Sequence, residues 1–358
     1  MKFLICFILL GILFPSFAND GAYYTRGGSI FPMQETKISM DKEELSFVVR
    51  DGVAEARIRF EFFNPENTAR TLKVGFQAPS AAGDVLDSIS NSVEIKDFII
   101  MQNGHILPYE IKVAECEDCE LKDPGELEFS QFNPGIYVFL FEVTFQPGKN
   151  VINHSYAFPK SSNVEFDASF NYILTTGSKW AGKKIKDFTL NIDMGPNQYF
   201  FVRDIFGGSA DWSINGTGKV TDKFFPYIND IQCRMVRTLN GALQIHIKDF
   251  EPTQNIEFGV IDKNSFVNHL VNYTEIMKGE VVSFEYFHID EEAPKETLRL
   301  LRNTVYAQHN YAFNSVELRE YFQKFAWYMP DPNVQMSDIK LSSEEQDFVD
   351  KILELEKQ

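Results

Sequence analysis

The chain predicts a mainly β fold with a small all-α C-terminal domain, arranged as two β-sandwich-like domains followed by a three-helix module. Three observations support this. Apolar residues occupy alternate positions in short runs through most of the first 285 residues. Turn signals such as Asp51-Gly52, Asn103-Gly104 and Pro147-Gly148 separate those runs. Beyond about residue 290 the apolar spacing changes to three and four, the helical period.

At the start, Lys2 precedes an apolar run from Phe3 to Phe14, and Ser16 and Ala18 form a small-x-small exit. That is the layout of a cleavable secretory signal, so residues 1–18 are expected to be removed after Ala18. The run is shorter than the roughly 20 residues a membrane span requires. Export is the expectation, to the periplasm or the extracellular space, with no transmembrane anchor once the signal has gone. Losing one Lys and no acid takes the formal charge from −17 to −18. An acidic chain without clustered Lys and Arg is a poor match for phosphate backbones, which argues against nucleic acid as a partner.

The first β domain is expected over residues 19–160. In the segment Ala54 to Phe63, Ala54, Ala56, Ile58, Phe60 and Phe62 share one face, and Glu55, Arg57, Arg59 and Glu61 the other. This is a strand with one dry and one wet side. Further strands are expected at Val93–Met101, Ile106–Val113, Ile136–Phe145 and Val151–Phe158. The second β domain is expected over 161–285, with strands at 170–174, 185–192, 232–238, 243–247 and 256–261. Leu239-Asn240-Gly241-Ala242 reads as a turn between two of them. The many Phe and Tyr, 34 and 14, suit sandwich cores.

Chemistry-bearing motifs are sparse. Cys116 and Cys119 form a C-x-x-C flanked by Glu115, Glu117, Asp118 and Glu120. Those acids would raise a thiol pKa, which disfavours a redox pair, and no second C-x-x-C completes a zinc site. A local disulfide is the leading reading, with a redox or metal accessory role as the alternative. Cys233 is then a buried thiol. The six histidines show no H-x-x-x-H or H-E-x-x-H spacing, and no nucleophile elbow or phosphate loop occurs. No cofactor is expected.

The helical module is expected over 290–358. Leu298, Leu301 and Val305 mark the first helix, which begins near Pro294 and stops at His309-Asn310. Asn314 with Glu317 reads as the cap of a second helix carrying Leu318, Tyr321, Phe322 and Phe325. Ser342 and Glu345 form a capping box for a third, whose face holds Phe348, Ile352 and Leu355, widened by Val349 and Leu353.

Two resemblances follow from these residues. Phe62-Phe63-Asn64-Pro65, Val74-Gly75-Phe76-Gln77-Ala78-Pro79 and Pro147-Gly148-Lys149-Asn150 give residues 40–158 a loose resemblance to the N-terminal domain of vault and inter-alpha-trypsin-inhibitor proteins. That likeness implies an interaction domain. Leu301-Arg302-Asn303-Thr304 and Tyr306-Ala307-Gln308-His309-Asn310, with Phe313, Leu318, Tyr321-Phe322 and Trp327-Tyr328, resemble the YARHG domain, a small extracellular module of bacterial proteins. Gln308 stands where that family has Arg, and Asn310 where it has Gly.

The resemblance implies a binding or scaffolding role in the bacterial cell envelope, with an envelope protein or polysaccharide as partner. The alternative is an envelope hydrolase whose site the sequence does not reveal. Tyr306, Gln308, His309, Trp327 and Tyr328 are the candidate binding residues, and packing of the small module core is the competing role for the aromatic ones. No catalytic or metal-binding residue is assigned.

Overall fold

The structure, a computed structural model, describes residues 23–24, 27–79, 82–83, 93–116, 119–127, 135–162, 166–207, 210–228, 231–261, 293–325 and 327–358. The expected signal at 1–18 and the expected boundary between body and module lie outside these residues, as do His269 and His288.

The strands, in chain order, are β1 (Tyr23–Tyr24), β2 (Gly27–Gly28), β3 (Ile30–Pro32), β4 (Ser39–Arg50), β5 (Val53–Asn64), β6 (Arg70–Pro79), β7 (Ala82–Gly83), β8 (Lys96–Gln102) and β9 (His105–Ile106). Then come β10 (Tyr109–Ala114), β11 (Ile136–Phe145), β12 (Gly148–Pro159), β13 (Phe166–Ile173), β14 (Ala181–Asp193), β15 (Gln198–Arg203), β16 (Trp212–Ile228), β17 (Ile231–Phe250) and β18 (Ile256–Ile261). Three helices follow: α1 (Lys295–Gln308), α2 (Val316–Phe322) and α3 (Ser343–Glu356). The mainly β body and the helical C-terminus predicted from periodicity are both present.

Twelve strands form one sheet in the order β2-β13-β18-β15-β17-β14-β4-β5-β12-β8-β9, with β16 added along β17. Four more, β10-β11-β6-β3, form a second sheet, and β1 pairs with β7. The smaller sheet lies face to face with the β4–β8 part of the larger one. Phe76 packs on Tyr156 with ring centroids 4.9 Å apart, Phe62 on Phe145 at 5.4 Å, and Phe98 stacks on Phe139 at 4.3 Å. Alternation explains the layering. On β5, Ala54, Ala56, Ile58, Phe60 and Phe62 are buried, while Arg59 and Lys149 share Glu61 on the outer face at 2.6 Å each.

The large sheet does not stop at residue 160, where a boundary between two β domains is expected. Strands β4 and β14 pair in parallel, and Phe47 packs against Tyr172 and Phe258 at 5.5 and 5.1 Å. A single contiguous core therefore runs from Ile30 to Phe258. A period of two shows which residues face inward but carries no information about which strand lies alongside.

Two local expectations change for related reasons. The segment 106–113, expected as one strand, is divided at Leu107-Pro108, so that β9 joins the large sheet and β10 the small one. Proline has no N–H to contribute to a ladder. Conversely, Leu239-Asn240-Gly241-Ala242 is not a hairpin turn, because β17 runs straight through it. Here β17 leaves β15, at Thr238 opposite Gln198, and takes up β14, at Leu243 opposite Ile192. Gly241 faces Gly216 of β16, and a Cβ on Gly241 would lie 2.0 Å from the Asn215 carbonyl oxygen. That close backbone approach requires glycine.

In the module, α1 and α3 bury Leu298, Leu301, Val305, Phe348, Val349, Ile352 and Leu355 against one another. Leu353, expected to widen that face, is exposed instead. The capping box at Ser342 and Glu345 is formed, with both backbone N–H groups satisfied at 3.2 and 2.9 Å. The cap of α2 is Ser315 rather than Asn314. Its hydroxyl accepts from Leu318 N, and its extended backbone supplies the entry that Asn314 was expected to provide.

Candidate functional site

The residues singled out at the C-terminus gather at the joint between the module and the large sheet. Helix α1 stops in a Schellman arrangement: Tyr311 N donates to Tyr306 O at 3.1 Å and Asn310 N to Ala307 O at 3.0 Å. Asn310 takes the left-handed position, with φ 61°. Its carbonyl accepts from Asp331 N at 2.9 Å, which draws the Trp327-to-Asp331 segment back across the helix end.

The side chain of Asn310 reaches out of the module. Its Oδ1 accepts from Arg237 Nη2 at 2.8 Å and its Nδ2 donates to Asn197 Oδ1 at 2.8 Å. Arg237, on β17, is 5% exposed. Its Nε donates to Trp327 O, and its Nη1 to Gln198 O and Thr238 O, all at 3.0 Å. Its Nη2 donates to Asn197 Oδ1 and Asn310 Oδ1. Five N–H groups thus meet five acceptors, and each acceptor is an uncharged carbonyl or amide oxygen. Burial pushes the guanidinium pKa down to about 10, with Tyr199 opposing, so Arg237 remains a cation at neutral pH.

Adjacent strands widen the contact. Lys219 of β16 and Tyr199 of β15 sit opposite Arg237 on either side. Lys219 Nζ donates to Tyr328 O at 3.2 Å, and Tyr199 packs against the aromatic cluster of Ala307, Phe313, Leu318, Phe322, Phe325, Trp327 and Tyr328.

The five candidate binding residues therefore divide. Trp327 and Tyr328 are 3% and 0% exposed, with Tyr328 Oη donating to Tyr311 O at 2.8 Å, so their rings belong to the module core. Their backbone carbonyls are what engage the sheet. Tyr306 is half-buried beneath the same cluster. Gln308 and His309 lie half-buried at the rim, and His309 Nε2 meets both oxygens of Glu345, at 3.1 Å each, tying the end of α1 to the start of α3.

Arg237, Asn197, Lys219 and Tyr199 were not singled out from the sequence. A faint signal exists, since Arg237 interrupts the run Met235-Val236-Arg237-Thr238, all of whose members are buried. The other motif resolves simply. Cys116 and Cys119 are joined in a disulfide, Cα atoms 5.0 Å apart, just outside a bridge between Val113 and Lys122. Cys233 is a buried thiol whose pKa burial pushes up to about 12. Among the described residues, no helix is long and apolar enough to cross a membrane, and no group of three or more His, Cys, Asp or Glu converges.

The joint is built at the stop of α1, where Asn310 replaces the glycine of the resembling family. Residues 287–357 match the YARHG domain. The described part of this YARHG module contains all three helices and every module residue of the joint. Across the whole chain, a crystal structure of a candidate nutrient-binding protein from Legionella pneumophila has a similar fold, with TM-score 0.55 and 19% identity, covering 94% of this chain and 100% of its own. A search of curated proteins finds no sequence match.

Proposed function

We propose that this chain is an exported, non-catalytic binding or scaffolding protein of the bacterial cell envelope, periplasmic or extracellular, whose partner is an envelope protein or polysaccharide. The observation that carries the reading is the use made of the YARHG module. Its most conspicuous aromatic rings are buried and its helix stop is bolted to a buried arginine of the sheet. A module held this way presents one continuous surface with the β body and does not act as a separate tethered unit. The match of residues 287–357 to a domain of exported bacterial proteins supports the location. The fold shared with a candidate nutrient-binding protein supports a binding role. Binding at the joint falls to the half-buried Tyr306, Gln308 and His309, while Trp327 and Tyr328 hold the module together.

Expression of the full chain in a Gram-negative host, followed by fractionation, tests the proposal. The expected product lacks residues 1–18 by intact mass, leaves the cytosol, and co-sediments with purified envelope fragments or cell-wall sacculi. An unprocessed product confined to the cytosol, or a processed one that sediments with neither, would end this reading.

A further inference from the structure

A second region of the β body has the makings of a small-molecule site. Between the β3–β4 connection and the start of β14 lies a groove of about 670 Å³, lined by residues 31–36 and 178–183. Phe31, Pro32 and Trp180 lie buried beneath it, and Met33 stands exposed at its rim. Phe31 and Met33 are seated over Gly75, where a Cβ would come within 2.9 Å of the Phe31 ring and 3.0 Å of the Met33 sulfur. The two walls are cross-tied: Trp180 Nε1 donates to Ile30 O at 3.0 Å and Ala181 N to Ile38 O at 3.0 Å. The groove is therefore preformed, as ligand sites usually are.

Its charge runs against that of the chain. In a protein of net charge −17, Lys179 and Lys183 line the groove with Glu35 as the sole carboxylate among the lining residues. Neighbouring lysines are neutralised, Lys184 by Asp249 and Lys186 by Asp41, each at 2.6 Å. Lys179 and Lys183 form no such pair among the described residues. The Lys179 ammonium instead sits 4.6 Å from the centre of the Phe31 ring. Lys183 reaches the groove wall through a bulge between Ala181 and Ile185, in which Gly182 and Lys183 both adopt left-handed backbone, φ 81° and 55°. A non-glycine residue held in that region is costly, and bulges commonly re-aim a side chain next to a site.

We infer that this groove binds a small organic anion, a carboxylate joined to an aromatic or branched apolar group. The carboxylate meets Lys179 and Lys183, and the apolar part lies on Phe31 and Met33. The inference is independent of the envelope role: the groove could fill in a chain that captures no envelope component, and the reverse also holds.

Calorimetric titration of the full chain with 1-naphthoate and with its neutral counterpart 1-naphthalenemethanol provides the test. Naphthoate is expected to bind at one site, and the alcohol at least tenfold more weakly. In Lys179→Met/Lys183→Met the preference for the anion should vanish, with naphthoate affinity falling at least tenfold. Lys186→Met, which removes a lysine already paired with Asp41, should bind naphthoate as the unmodified chain does. Hydrogen exchange should slow on naphthoate binding in segments 31–36 and 178–183. Absence of saturable naphthoate binding, equal binding of acid and alcohol, protection elsewhere, or a double variant that binds like the parent would each overturn the inference.

Discussion

The module joint and the centre of the β body each bury an ionisable side chain, and they handle it in opposite ways. At the joint, Arg237 keeps its charge because all five of its N–H groups find acceptors. In the body, Glu43 of β4 is 0% exposed and receives one good hydrogen bond, from Tyr172 Oη to Oε1 at 2.9 Å. Its Oε2 and the nearby Ser29 Oγ are both buried without a well-aligned partner. Burial pushes the Glu43 pKa up to about 8, against the pull of the Tyr172 hydroxyl, so the acid is held neutral at physiological pH. A buried charge survives where the backbone and amides surround it. Where they do not, the group gives up its charge. The first arrangement joins two units, and the second makes stability depend on pH.

The sharpest way to break this comparison is at Arg237. Arg237→Met removes the cation and leaves Trp327 O and Asn310 Oδ1 without donors, which should cost roughly 1–3 kcal/mol for each. Denaturant unfolding followed by both far-UV and tryptophan signals should then split into separate module and body transitions. A single transition at the parent midpoint would show that the clamp is not what joins them.

The pH profile is the next test. Glu43 binds its proton more tightly when folded, so its contribution falls as pH rises from about 4.5 to about 8. His154, buried with its Nδ1 on Ile99 O at 2.9 Å, has its pKa pushed down to about 4 by burial, so its contribution falls as pH drops from about 6.5 to about 4. Between roughly 4.5 and 6.5 the two slopes oppose each other, and a stability plateau is expected there, with a decline of about 2 kcal/mol on the alkaline side. Glu43→Gln should abolish that decline. An unchanged alkaline limb in the variant would dissociate it from Glu43.

The smallest effect is expected at Asn310. Asn310→Gly restores the residue of the YARHG family and suits the left-handed backbone, but it removes the bonds to Arg237 and Asn197. A loss of about 1–2 kcal/mol is expected in denaturant unfolding. No loss would mean that the helix stop alone matters there.

Much of this architecture was legible in advance, for reasons that can be named. The strand Ile136–Phe145 and the third-helix capping box emerge where expected because alternation and capping are local properties of a few adjacent residues. The candidate site was legible only in outline. The helix stop at Asn310 was evident, but its partner Arg237 lies 73 residues away. Trp327 and Tyr328, candidates for a binding surface, are buried, because sequence reports that a residue is aromatic and not whether its face is covered.

By itself, then, the sequence determined the mainly β body, the helical module, the YARHG likeness and the caps of the first and third helices, all of which rest on periodicity and near neighbours. Only the tertiary structure decided that strands on both sides of residue 160 share one sheet, that β17 serves two partners in succession, and that Arg237 binds module to body. The physical reason is that strand pairing and buried hydrogen bonds join residues far apart in the chain, and such choices are made by the packing of the whole rather than by any window of residues.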